Sequence, residues 1–303
     1  MSGPVYLVTG AGGGTGGVSR HVVERLIAAG CRVRAYVHRD DDRAARLRTL
    51  GVDVAVGDLT RPRDVVAAVA GVDRVFFSMS VSPEYLAATA VMASAVLEEG
   101  TVEALVNMSQ MTVSQMTLTS TEESDQHRLH YLAEQVLNWS GLPVVHMRPT
   151  AFLDNPLFTW LAAPGVRNNG VLALPFGSGR TSPIAAGDVA RAVTAVLTDP
   201  GPHIGKVYEL TGPAALDIEG LAAEYATALG RPVRGTDIEH DRWLRDVLDP
   251  LGLPGHLRQH LETMALLHRA GRYDRSTGDY TALTGQPAQT PAQYVRTHAD
   301  VFA

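Results

Sequence analysis

The sequence predicts an α/β fold: a doubly wound parallel sheet with a smaller helix-rich C-terminal lobe. Three observations lead there. A glycine-rich turn, Gly10-Ala-Gly-Gly13-Gly-Thr15-Gly16, separates a short apolar run from an amphipathic stretch. Short apolar runs and stretches of helical period then alternate through the first half of the chain, the pattern of a parallel sheet covered on both faces. Gly30, Gly51, Gly57, Gly71, Gly100 and Gly141 punctuate the ends of these units, where a helix cap or turn needs a residue tolerant of positive φ.

Residues 5–8 read as the first strand, 18–29 as a helix and 32–37 as the second strand, a βαβ unit. Further strands are expected at 53–56, 74–77, 104–108 and 144–148, with helices at 40–50, 62–70, 84–99 and 122–140. Right-handed crossovers make this one sheet spanning 1–150. After Pro149 the rhythm loosens: 151–183 is rich in Pro and Gly, with a short helix. A helix at 188–197 and a strand at 207–210 mark 184–212 as a return to the sheet domain. Helices at 217–230 and 241–270, the second interrupted near 250–255, place 151–183 and 213–303 in the second lobe.

Composition narrows the function classes. The chain has 303 residues and a net charge of −6 with no basic block, which argues against a nucleic-acid surface. Cys31 is the only cysteine, so no internal disulfide is possible and a reducing, cytoplasmic setting is expected. A strand starts almost at once, which leaves no room for a signal peptide, and no apolar stretch is long enough for a membrane span. Oligomeric state is left open.

The glycine turn lets the backbone approach a phosphate at a helix N-terminus, where free N–H groups and the helix dipole attract anions. A nucleotide cofactor is therefore the first expectation. The second strand ends at Val37-His38-Arg39, where an acid would bind the ribose hydroxyls of NAD. Arg39 would instead pair with a 2′-phosphate, with His38 or Arg43 helping, which favours NADP. Asp40, Asp41 and Asp42 follow, so a solvated charge run is the competing reading. Asp58, in Gly57-Asp58-Leu59, would accept from an adenine amino group or cap the next helix. Ser78 and Ser80 end the fourth strand and Ser109 ends the fifth, at the sheet edge where ligands bind.

These segments together resemble the NmrA-like family of atypical short-chain dehydrogenase/reductases over nearly the whole chain. The resemblance rests on the run from Val8 to Gly16, on Val37-His38-Arg39 and on Gly57-Asp58-Leu59. It continues in Glu134-Gln-Val-Leu-Asn-Trp-Ser140-Gly141-Leu-Pro, in Met147-Arg148-Pro149-Thr150-Ala-Phe152-Leu-Asp-Asn155, in Ile184-Ala-Ala-Gly-Asp188-Val189-Ala190 and in Leu283-Thr284-Gly285-Gln-Pro287. It implies a Rossmann domain binding NADP(H) through Gly10, Gly13, Thr15, Gly16, His38, Arg39, Asp58, Leu59, Ser78, Pro149 and Phe152, with a small lobe over the nicotinamide. Members include quinone reductases, plant isoflavone-type reductases and co-regulators that bind the dinucleotide without turning it over.

The departures bear on chemistry. The wider superfamily carries Tyr-x-x-x-Lys on the helix before the Ser-Gly-Leu segment; here those positions read Gln126 and His130. Tyr131 is displaced by about 100° around the helix, and Lys206 is the only lysine. His130 resembles the histidine of some quinone-reductase members and would bond ribose or substrate, or else lie on the helix surface beside His127. No further ligands at telling spacing accompany these two histidines, so no metal is expected. Phe152, Phe158, Trp160, Phe176, Met111 and Met116 would line an apolar pocket or simply fill the second core. The expected function is NADPH-dependent hydride transfer to a small apolar or aromatic carbonyl (a quinone, an enone or a related conjugated carbonyl), with His130, Ser109 or Tyr131 polarising the acceptor or relaying a proton. A non-catalytic NADP(H) sensor and a non-redox isomerase or cyclase on the same fold are the alternatives.

Overall fold

The computed structural model describes residues 3–13 and 17–302. Its strands are β1 (Val5–Val8), β2 (Arg32–Val37), β3 (Asp53–Val56), β4 (Arg74–Phe77), β5 (Ala104–Met108), β6 (Val144–Pro149), β7 (Val171–Leu174), β8 (Val207–Leu210) and β9 (Arg234–Asp237). Its first ten helices are α1 (Val18–Ala28), α2 (Asp42–Thr49), α3 (Pro62–Val69), α4 (Tyr85–Glu99), α5 (Asp125–Trp139), α6 (Ala163–Asn169), α7 (Ala186–Thr198), α8 (Ile218–Leu229), α9 (His240–Trp243) and α10 (Gly255–Arg269). Seven strands form one sheet in the order β3-β2-β1-β4-β5-β6-β8, and β1 to β6 pair in parallel. The chain winds outward from β1 to β3, then crosses to β4 on the other side of β1. The crevice at the carboxyl ends of β1 and β4 is therefore the switch point where such sheets bind nucleotides.

Local chemistry explains the elements. Every residue of β5 is buried, as expected of a strand covered on both faces. Asp41 caps α2 by accepting from the backbone N–H of Arg43, Pro62 opens α3 at a position that needs no N–H donor, and Gly100 ends α4 at φ 71°.

The chain divides into two compact units. The first holds the residues up to Gln110 with Arg128–Arg148 and Val189–Tyr208; the second holds Met111–His127, Pro149–Asp188 and the residues from Glu209 onward. The second unit thus takes in 111–127 and is no smaller than the first. It contains a parallel pair, β7 with β9, where a loop-rich stretch was expected. Its core packs Phe158, Phe176, Tyr225 and Phe302. Among the described residues, no helix is long and apolar enough to cross a membrane.

Candidate cofactor and catalytic residues

In the first unit, Thr9 fixes the switch point. Its hydroxyl donates to the Ser78 carbonyl and accepts from the Ser78 N–H, both at 2.8 Å, so the ends of β1 and β4 are locked together. Gly10 follows at φ 67°, and a Cβ there would lie 2.8 Å from the Ser78 carbonyl oxygen. Only glycine satisfies both conditions. Gly13 also has positive φ, 72°, but a Cβ would meet nothing within 4 Å. The open space over Gly13 is what an approaching phosphate requires. Gly13→Val is therefore expected to fold, at a backbone cost of about 1–2 kcal/mol, and to lose dinucleotide binding; calorimetric titration of the folded variant checks this. Thr15 and Gly16 lie outside the described residues.

Two of the three acids after β2 are engaged in ion pairs, and Asp42 sits in the first turn of α2. Asp40 pairs with Arg48 at 2.6 Å. Asp41 pairs with Arg43 at 2.5 Å, and its carboxyl is held down at about 2, chiefly by that hydrogen bond. Arg43 also extends to the Gly13 carbonyl at 3.4 Å. His38 and Arg39 are exposed, and no ion pair engages Arg39 among the described residues. Among the described residues Arg39 is thus an exposed cation without an ion pair just after β2. Asp58 accepts from the Thr60 N–H at 2.9 Å and the Thr60 hydroxyl at 2.7 Å, bonds that hold its carboxyl below the usual range, with Thr60 N–H the largest cause. It shapes the turn before α3 without capping that helix directly, since Arg61 is the cap residue. Leu59 is buried in the core with Tyr36 and Val65. Ser78 is half-buried and Ser80 exposed.

The carboxyl end of β5 carries Ser109. Its N–H donates to the Met147 carbonyl at 2.8 Å, while its hydroxyl is buried with no hydrogen-bond partner among the described residues. A buried hydroxyl left this way costs free energy that a bound oxygen would recover. On the same face of β5, two residues earlier, Asn107 bonds His146 at 3.1 Å, and His146 bonds Asn138 of α5 at 3.0 Å. Burial pushes the His146 ring below its usual value. Glu134 receives both arms of Arg148, at 2.9 and 2.5 Å. Glu134 and Asn138, four residues apart, register one stripe of α5 on β6 by polar contacts, and His130 continues that stripe. At the top of that stripe the His130 ring lies 4.3 Å from the Tyr85 ring, and Tyr85 is anchored by its hydroxyl to the Met108 carbonyl at 2.7 Å. His130 is therefore half-buried and ring-packed. Tyr131 is half-buried as well.

In the second unit, Pro149 ends β6, and Phe152 is half-buried in a bridge with Ile184. Phe158 and Phe176 are fully buried. Phe176 stacks on His268 at 3.9 Å and Tyr273 covers the other face at 4.0 Å. Burial pushes His268 down to about 3, so it is a neutral core residue. Met111 and Met116 are buried too, and Trp160 is exposed; Phe158 and Phe176 fill the second core, one of the two readings the sequence allowed. Two hydroxyls that sequence reasoning passed over, Thr150 and Ser182, are buried without hydrogen-bond partners among the described residues. Their only sequence signal is that Thr150 directly follows Pro149. Gln126 is buried and accepts from His256 at 2.9 Å.

A glycine turn at the switch point of a doubly wound parallel sheet is the arrangement of a dinucleotide-binding fold. Comparison with known proteins agrees. The chain belongs to the NAD(P)H-binding family, which matches residues 13–200, and its fold is that of the NmrA-like proteins. It is 30% identical to an NAD(P)H azoreductase of Xenophilus azovorans, over 96% of this chain and 97% of the relative. It is 32% identical to the (4-alkanoyl-5-oxo-2,5-dihydrofuran-3-yl)methyl phosphate reductase of Streptomyces griseus, over 99% of each chain. The NADPH-dependent quinone oxidoreductase of Escherichia coli, solved with NADPH, superimposes with a TM-score of 0.81 at 24% identity, over 98% of this chain and 99% of that one. The protein is an NAD(P)H-dependent reductase.

Proposed function

We propose that the protein transfers hydride from NADPH, in preference to NADH, to a flat conjugated acceptor such as a quinone, an enone or a related carbonyl. The observation that carries this reading is the Ser109 hydroxyl, buried and unbonded at the carboxyl end of β5. An acceptor oxygen placed there would receive its hydrogen bond as negative charge develops. Bound NADPH would supply the hydride. The chain supplies the rest. Gly10 and Gly13 admit the pyrophosphate, Arg39 and His38 face the 2′-phosphate, Asp58 and Leu59 adjoin the adenine, and Ser78, Pro149 and Phe152 border the nicotinamide half. His130, held by Tyr85 and the α5 stripe, orients the ribose or the acceptor, with Tyr131 beside it on the helix.

No Tyr-x-x-x-Lys pair is available, because Gln126 and His130 stand at those positions and Lys206 is the only lysine. An acceptor whose reduced form spreads its charge by conjugation does not need that acid. The relatives are named for an azo group, a 2,5-dihydrofuranone and a quinone, each a flat conjugated system.

Cofactor choice is tested at Arg39. Arg39→Ala is expected to weaken NADPH binding by about 1.5–3 kcal/mol, the worth of a hydrogen bond to a charged group, and to leave NADH binding unchanged. Equal losses for both would sink the 2′-phosphate assignment. Steady-state oxidation of NADPH against a panel of quinones, enones and azo dyes tests the acceptor. Tight NADPH binding with no turnover on any of them would favour a sensor over an enzyme.

A further inference from the structure

We propose that Asp64 and Thr60 are positioning residues that make the cofactor site select adenine over 6-oxopurine bases, by aiming one oxygen of Asp58. The inference rests on the reading above in which Asp58 adjoins the adenine of NADPH. Its geometry lies wholly within the first unit, in the turn between β3 and α3. Asp64 is the third residue of α3, and its Oδ2 accepts from the Asp58 N–H at 3.0 Å. Asp58 Oδ1 takes both the N–H and the hydroxyl of Thr60, at 2.9 and 2.7 Å. Asp58 Oδ2 faces the exposed Arg61 guanidinium at 3.8 Å, beyond hydrogen-bond reach.

The turn is held from several sides. The Gly57 N–H donates to the Val37 carbonyl at 3.0 Å, which ties the turn to the end of β2. A Cβ on Gly57 would lie 2.5 Å from the Tyr36 hydroxyl and 2.7 Å from the Asp64 Cβ, so the turn rests directly on these two side chains. The Arg61 N–H donates to the Asp58 carbonyl at 3.0 Å, and the Asp64 N–H to the Arg61 carbonyl at 3.1 Å. Leu59 is sunk in the core beside Tyr36. Asp58 therefore has its N–H, its carbonyl and its Oδ1 all engaged. Its Oδ2 is the oxygen left to meet a ligand, on a half-buried side chain.

The direction of that oxygen decides which base it accepts. The Thr60 bonds hold the Asp58 carboxyl below its usual range, so at neutral pH it is ionised and can only accept. Adenine carries an amino donor at its 6-position, whereas hypoxanthine and guanine carry a carbonyl acceptor there. A carboxylate aimed at the amino group gains a charge-assisted hydrogen bond; aimed at a carbonyl oxygen, it is repelled. A carboxylate free to swing could instead turn to the ring N–H beside that carbonyl and accept from a 6-oxopurine as well. Selectivity thus needs a fixed Oδ2. Asp64 fixes the Asp58 backbone, and Thr60 fixes the rotation of its side chain. Neither has to touch the cofactor to do so.

Calorimetric titration of the full chain with NADPH and with its hypoxanthine analogue, deamino-NADPH, tests the proposal independently of turnover. The wild type is expected to bind NADPH about tenfold or more tightly than the analogue, the worth of one hydrogen bond to a charged group. Asp64→Ala is expected to bring that ratio most of the way to unity. Asp64→Asn, whose amide oxygen can still accept the Asp58 N–H, should retain most of it. Thr60→Val removes the hydroxyl but keeps the backbone N–H, so it should lower the ratio by an intermediate amount; it decides if Asp64→Ala misfolds. In steady-state oxidation, Asp64→Ala should raise KM for NADPH with kcat at saturation retained. A merely structural defect would weaken both cofactors equally and leave the ratio unmoved. Equal binding of the two cofactors by the wild type, or a ratio in Asp64→Ala as large as the wild type's, would overturn the positioning role alone. A loss in Asp64→Asn as complete as in Asp64→Ala would do the same. Adenine-selective binding with no turnover on any acceptor would overturn the reductase reading alone. A wild type that binds neither cofactor would overturn both together.

Discussion

Ser109→Ala is expected to lower kcat by about 10²–10³-fold, the usual effect of removing one preorganised donor to a developing oxyanion, while leaving the fold at least as stable as the wild type. The two halves of this expectation come from the same fact. The Ser109 hydroxyl is buried and makes no hydrogen bond among the described residues, so deleting it breaks nothing in the free protein and relieves an unmet polar group. On the proposed reading that hydroxyl serves a bound acceptor. Turnover and urea denaturation measured on the same preparation check it. A destabilised variant with full activity would reassign Ser109 to the scaffold.

Arg148→Met is expected to destabilise the protein by about 3–5 kcal/mol, the usual consequence of stranding one member of a buried ion pair. The Glu134 side chain is 1% exposed and Arg148 17%, so water cannot replace the lost arm. The double variant Glu134→Leu/Arg148→Met should recover most of the loss, because the cost lies in the unpaired charge more than in the missing attraction. Urea midpoints of the wild type, the single and the double variants decide it. The pair also registers α5 on the sheet, so the single variant is expected to lose activity before it unfolds, through displacement of His130.

The first half of the chain was legible because its signals are local. Apolar runs such as Val5–Val8 and Ala104–Met108, and glycines in the left-handed region such as Gly30 and Gly100, specify strands and helix ends without distant partners. The second half depends on contacts that sequence pattern does not show. The strand Arg234–Asp237 reads RGTD, with no apolar alternation, and is a strand only because Val171–Leu174 lies beside it. The segment 111–127 follows β5 in the chain, yet Ser114 bonds Arg275 and Glu123 bonds Arg272, about 150 residues away, which draws it into the second unit. The site divides in the same way. The glycine turn and Arg39 follow from position along a βαβ unit. Asp40 and Asp41 could not be discounted until they were seen on Arg48 and Arg43. Asp64 reaches back six residues to the Asp58 N–H, a bond that no sequence signal announces.

The most direct test of the central claim is a single turnover with NADPH deuterated at the nicotinamide C4, protein in excess, and a quinone or enone as acceptor. Hydride transfer by this chain is expected to oxidise the cofactor with a primary isotope effect and, with the enone, to leave the label on product carbon. Ser109→Ala should slow the step without changing the label's destination. Stoichiometric NADPH binding with no transfer of label and no isotope effect would contradict the reductase assignment.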